Sequence, residues 1–175
     1  MAGRHAEAES RVHEWLKANP SDTAIRLYLG EAYLRRDNCG SAVGQYESVL
    51  STQPDNVIAL NNVSWCYQKM DDPRAVAVAE RALQLKPDNP AILDTLGWTL
   101  VQKGDPKRGV ELLKKAVALA PRSPDIRIHY VHGLVSSRDN YRARQELERM
   151  LLDFPQLRQD QKVARLSHSL GVPYQ

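Results

Sequence analysis

Apolar residues recur at helical spacing along this chain in stretches that each run into a proline. Val43, Tyr46, Val49 and Leu50 lead to Pro54, and Val110, Leu112, Leu113, Ala116 and Val117 lead to Pro121. Polar residues fill the intervening positions, so the pattern predicts amphipathic helices ended by proline, which cannot continue the backbone ladder. Pro20, Pro54, Pro87, Pro121 and Pro155 stand 34, 33, 34 and 34 residues apart. A period of this length is the mark of helical hairpins that bury their apolar faces only by stacking on their neighbours.

Counting back from each proline exposes a second set of rows in the first helix of each hairpin. Leu29-Gly30 with Tyr33, Val63-Ser64 with Tyr67, Leu96-Gly97 with Leu100, and Tyr130-Val131 with Leu134 take one role in four successive repeats. Ala42, Ala75, Gly109 and Ala143 open the second helices, where a larger side chain would push the pair apart. Asp72-Pro73, Asn89-Pro90, Asp105-Pro106 and Ser123-Pro124 each place a capping side chain before a proline at the first helical position. Gly104 supplies a left-handed stop.

The spacing predicts repeats over 23–56, 57–89, 90–123 and 124–157, the second one residue short in its turn. Residues 6–22 read as a lone second helix with Val12, Trp15 and Leu16 in its core, which implies that the array continues upstream and that the chain is a fragment. Residues 158–175 read as a capping helix and tail at a true C-terminus. There Val163, Leu166 and Leu170 make the apolar stripe, and Gly171 and Pro173 end the helix.

These small, large and proline positions resemble the 34-residue unit of the tetratricopeptide repeat (TPR) family over nearly the whole chain. The resemblance implies an all-α, right-handed superhelical solenoid of four full repeats, a partial N-terminal helix and a C-terminal capping helix. The chain departs from the family where an aromatic residue is usual early in the first helix: Arg26, Leu60, Leu93 and Arg127 stand there. Val131 also replaces the usual Gly or Ala.

Composition narrows the class further. With 42% hydrophobic and 26% charged residues and a mean hydropathy of −0.50, the chain is globular rather than disordered, and no apolar run approaches the length of a transmembrane segment. Net charge is +3, and Lys107, Arg108, Lys114 and Lys115 are interleaved with Asp105 and Glu111, which excludes a nucleic-acid face. Cys39 and Cys66 make no disulfide framework and no zinc or redox spacing; Cys66 reads as a small buried hydrophobe.

No catalytic arrangement emerges, and no cofactor is implied. Gly104 to Gly109 has the glycine spacing of a phosphate loop, but Val110 stands where the lysine belongs. Asp125, His129 and His132 share a helix face like metal ligands, yet no second shell accompanies them, and a solvated polar face accounts for them better. The chain is not predicted to be an enzyme.

A curved array offers a concave surface lined by first helices. Register places Leu27, Asn61, Asp94 and Ile128 in one row there, and Glu31, Trp65, Trp98 and His132 in the next. Glu31, Asn61, Trp65, Asp94, Trp98 and His132, with Gln68 and Lys69 on the rim, are the candidate partner-binding residues. The tryptophans can anchor a peptide, stack on a sugar ring, or pack sideways between adjacent first helices. Family members that grip a chaperone's C-terminal carboxylate use Lys and Asn, then Asn, then Lys and Arg. The matching positions here are Leu27 and Glu31, Asn62, then Ala91 and Thr95, so only the central Asn is present and that docking is disfavoured.

A narrower resemblance concerns the last half of the chain. Asp94 to Trp98, Leu112 to Val117, Asp125 to Tyr130 and Ala143 to Leu147 look like the C-terminal repeats of bacterial TPR lipoproteins of the PEP-CTERM and exosortase system. It implies a periplasmic or cell-envelope setting in exopolysaccharide assembly; without it the expected setting is cytoplasmic. The functional expectation is a protein-interaction scaffold holding a protein or peptide segment in its groove, the alternative a polysaccharide-binding groove.

Overall fold

In the computed structural model, which describes residues 2–173, ten α-helices and one short 3-10 helix follow each other, with no strand among the described residues. The chain divides into two compact units, residues 1–85 and 86–175. The first holds α1 (Ala2–Ala18), α2 (Thr23–Leu34), α3 (Cys39–Thr52), α4 (Val57–Lys69) and α5 (Ala75–Leu85). The second holds α6 (Pro90–Gln102), α7 (Pro106–Leu119), α8 (Pro124–Ser136), α9 (Asn140–Asp153), the 3-10 helix (Pro155–Gln159) and α10 (Gln161–Leu170).

The helix starts follow from local chemistry. Asp22, Asn38, Asn56, Asn89, Asp105, Asp139 and Asp160 each accept a backbone N–H of the first turn, satisfying a donor that the helix itself leaves unpaired. Two of the caps that stand before a proline differ from expectation. Ser123 makes no side-chain bond at the start of α8. The Asp72 carboxylate accepts the Arg74 N–H at 2.8 Å and also binds its guanidinium, which holds residues 73–74 in a turn and delays α5 to Ala75.

The turns inside the hairpins repeat one backbone device. Asp37, Asp71, Gly104 and Arg138 all have positive φ, between 56° and 91°, at the repeat period. Gly104 suits that region, Asp37 and Asp71 are of a type that tolerates it, and Arg138 is the one residue there of neither kind.

The small positions bring helices together as their register predicts. A Cβ on Gly97 would lie 2.8 Å from Leu113 Cγ, and one on Gly109 would lie 2.6 Å from the Gly97 carbonyl oxygen, so α6 and α7 meet backbone to backbone. In the first unit the ring of Tyr46, fully buried, lies over Gly30 and fills the same place. Ala42, Ala75 and Ala143 are fully buried.

Each unit has its own core. Leu29, Tyr33, Ala42, Tyr46, Val49, Val63, Cys66 and Tyr67 build the first; Val110, Leu113, Tyr130, Val131, Leu134, Leu147 and Met150 build the second, which α10 extends through Val163, Leu166 and Leu170. Leu16 docks α1 on the first core, but Trp15, expected inside, is 53% exposed. It turns away because its indole N–H donates to the Asp22 carboxylate at 2.9 Å. Alongside Leu16, the Tyr33 hydroxyl donates to Glu9 at 2.7 Å, and burial together with that carboxylate raises the phenol to about 12.

Where the family usually has an aromatic residue, Leu60 and Leu93 are buried as apolar substitutes. Arg127 is buried too, and its guanidinium is held by Glu146 at 2.8 Å and by Asp153, over the ring of Phe154. Buried charge of this kind persists only when paired.

Candidate functional site

Helix α6 presents Asp94 and Trp98 one turn apart, and α8 presents His129 and His132 beside them. His129 Nδ1 lies 2.9 and 3.0 Å from the two Asp94 carboxylate oxygens. An ionised carboxylate only accepts, so Nδ1 carries the proton and donates it. The His129 ring lies flat on the Trp98 indole, with centroids 4.6 Å apart and planes 11° from parallel, and His132 meets the same indole at 5.8 Å in a tilted contact.

Burial pushes the His132 imidazole below its ordinary value, and the neighbouring His129 and Lys162 act in the same direction. His132 therefore holds to its neutral form. His129, fixed by its bond to Asp94, keeps 25% of its side chain exposed, which leaves it reachable from solvent.

The candidates in the first unit form a separate arrangement. The Lys69 ammonium lies 4.8 Å from the Trp65 ring centroid and pairs with Asp37, which raises its pKa. Asn61 donates to Asn62 Oδ1 at 3.3 Å, while its own Oδ1 is buried without a hydrogen-bond partner. Asn62 in turn donates to the Tyr46 hydroxyl at 3.1 Å. Gln68 is half-buried near the end of α4. Glu31 is exposed and tied to Arg35 of its own helix at 2.6 Å.

The predicted residues thus resolve into Asp94, Trp98 and His132 in one unit and Trp65 with Lys69 in the other. Sequence reading set His129 aside with the metal-like trio of α8. In the structure it turns instead to Asp94, 35 residues back, one position beyond the register row, which a search of single helix faces does not reach. Among the described residues no group of three or more His, Cys, Asp or Glu side chains is arranged to hold a metal ion. No helix of the described residues is long and apolar enough to cross a membrane.

Family models of the tetratricopeptide repeat match residues 2–47 and 30–90, and a second such model matches residues 100–166. No curated protein matches the chain. Among solved structures, a thermophilic TPR protein of Thermus thermophilus superposes with a TM-score of 0.74 at 20% identity, over 98% of this chain and 93% of its own. MamA residues 41-end of Desulfovibrio magneticus RS-1 gives 0.72 at 21% identity over 94% and 86%. An O-GlcNAc transferase of Thermobaculum terrenum gives 0.72 at 21% identity, but the match spans 75% of this chain and only 26% of that enzyme. The narrower resemblance to lipoproteins of the PEP-CTERM system has no counterpart in these matches. The models account for both halves of the sequence and the structures for its all-helical hairpin fold: the chain belongs to the tetratricopeptide repeat family.

Proposed function

We propose that the chain is a non-catalytic scaffold that holds a peptide segment of a protein partner against α6 and α8, at Asp94, Trp98, His129 and His132. The tetratricopeptide fold generally supports protein–protein interaction, and the finer assignment rests on one observation: His129 is oriented by Asp94 and by the stack on Trp98. With Nδ1 bonded to the carboxylate, the other ring nitrogen is free to accept from a peptide N–H or hydroxyl. The indole edge and His132 supply apolar contact beside it. In the first unit, Glu31, Asn61, Trp65, Gln68 and Lys69 offer a contact surface of their own.

Sugar stacking has less support. It needs an open indole face, and one face of Trp98 is taken by His129, while the Lys69 ammonium sits over Trp65. The envelope and exopolysaccharide setting rests on sequence resemblance alone and is not needed for this reading.

The test is selection from a random peptide library on the immobilised wild-type chain. Titration of an enriched peptide into labelled protein, followed through the indole N–H signals, then locates the contact. Sequence-related peptides that shift the Trp98 signal and lose affinity about tenfold against His129→Phe support the proposal. Absence of enrichment, or shifts confined to other signals, rejects it; binding that instead grows with glycan length favours the polysaccharide alternative.

A further inference from the structure

The first unit contains two free cysteines, both buried, at the start of α3 and the end of α4, which is the open end of the α3–α4 hairpin. Cys39 is the first residue of α3 and Cys66 lies in the last turn of α4. The helices are joined by a short turn and held side by side by the Asn62 to Tyr46 bond in their middle and by Tyr67 to Glu47. Beyond the thiols, Asp37, two residues before Cys39, is ion-paired with Lys69, three residues after Cys66. The two thiols therefore lie at the same open end of the hairpin, in the same core cluster, and burial together with Cys39 pushes the Cys66 thiol up.

We propose that Cys39 and Cys66 are a site of oxidative modification, closing to an internal disulfide that staples the start of α3 to the end of α4 when a hydroperoxide oxidises the chain. The two thiols differ in a way that orders the steps. Cys66 is completely buried, and that burial, with Cys39 alongside, keeps its thiol protonated; Cys39 is 7% exposed. The Cys39 sulfur, having given up its proton, attacks one oxygen of the hydroperoxide. The O–O bond breaks, the other oxygen leaves with the proton as water (or as an alcohol from an organic peroxide), and Cys39 becomes the sulfenic acid. The Cys66 sulfur then attacks the Cys39 sulfur, the S–S bond forms, the S–O bond breaks, and hydroxide leaves with the Cys66 proton as a second water. The two thiols lose two electrons and two protons, and the peroxide is the oxidant throughout. The neighbouring thiol intercepts the sulfenic acid before a second peroxide can carry it to the irreversible sulfinic acid.

The experiment is titration of the full chain with hydrogen peroxide at neutral pH, with alkylation under denaturing conditions and intact-mass analysis. The expected result is a monomer lighter by two hydrogens, free thiols falling from two to none, and a non-reduced peptide joining Cys39 to Cys66. A reductant restores the starting mass. The oxidised chain melts about 5 °C or more higher, because the crosslink restricts the unfolded chain. Cys39→Ser and Cys66→Ser each keep one thiol and show no such rise. Persistence of two alkylatable thiols, accumulation of sulfinic acid at Cys39, or crosslinks only between chains overturns the proposal, and these mass readings stand on the wild-type chain even where a variant fails to fold.

Discussion

His129 lies flat on the indole of Trp98 while donating its Nδ1–H to Asp94, so one imidazole joins α6 to α8 by a stacking contact and a hydrogen bond. Removing the ring exposes one indole face and strands a half-buried carboxylate. His129→Ala is expected to lower stability by about 1–3 kcal/mol, combining the stacking contribution with the lost charge-assisted bond. In a Trp15→Phe, Trp65→Phe background, urea unfolding measures that loss and the single remaining indole reports the environment by its emission. Unchanged emission together with unchanged stability would dismiss the stack.

His132 carries a pH dependence whose sign is determined. Burial, His129 and Lys162 all depress its pKa in the folded chain, so the unfolded chain binds the proton more readily. Its contribution to stability is present above the unfolded value, about 6.5, and is lost as pH falls through the depressed folded value. The stability difference between wild type and His132→Gln, followed by urea denaturation between pH 7.5 and 5, should move against wild type on acidification. The carboxylates with lowered pKa values, Glu9, Asp22 and Asp139, lose their contributions only in a more acidic range, which keeps the two effects apart.

Gly97 and Gly109 lie where α6 and α7 touch, and Gly109→Ala would drive a methyl group to 2.6 Å from the Gly97 carbonyl oxygen. The backbones must separate, and a loss of about 1–3 kcal/mol is expected. Gly44, on the exposed side of α3, has nothing within 4 Å of an added Cβ. Gly44→Ala should raise stability by about 0.5–1 kcal/mol through helix propensity. Thermal melts of the two variants should move in opposite directions.

The buried Arg127 is expected to be costly to remove alone. Arg127→Leu leaves the Glu146 carboxylate, 14% exposed, without its bidentate-capable partner, at a cost of about 3–5 kcal/mol. Arg127→Leu with Glu146→Leu restores much of that stability, since Leu60 and Leu93 serve at the same register in other repeats. A double-mutant cycle in urea gives the coupling, and strict additivity would contradict it.

Ser167 has its hydroxyl fully buried in α10 with no hydrogen-bond partner. Ser167→Ala removes an unsatisfied group and improves helix propensity, so a gain of about 1 kcal/mol is expected. A higher urea midpoint at an unchanged slope is the result that bears this out.

The tetratricopeptide period and the helical hairpins were legible in the sequence because their causes are local or strictly periodic. Proline, capping Asp and Asn, and small residues such as Gly97 and Gly109 act within a turn or recur at one interval. Sequence alone also placed Asp94, Trp98 and His132 on neighbouring first helices. It did not reveal that His129 reaches Asp94, that Trp15 turns outward to Asp22, that Lys69 engages Asp37, or that Cys39 and Cys66 share one buried cluster. Those relationships depend on side-chain directions between elements far apart in the chain, where a single rotamer decides which of several equally spaced neighbours is touched. Periodicity specifies which helices stand side by side; only packing between them decides which side chains meet.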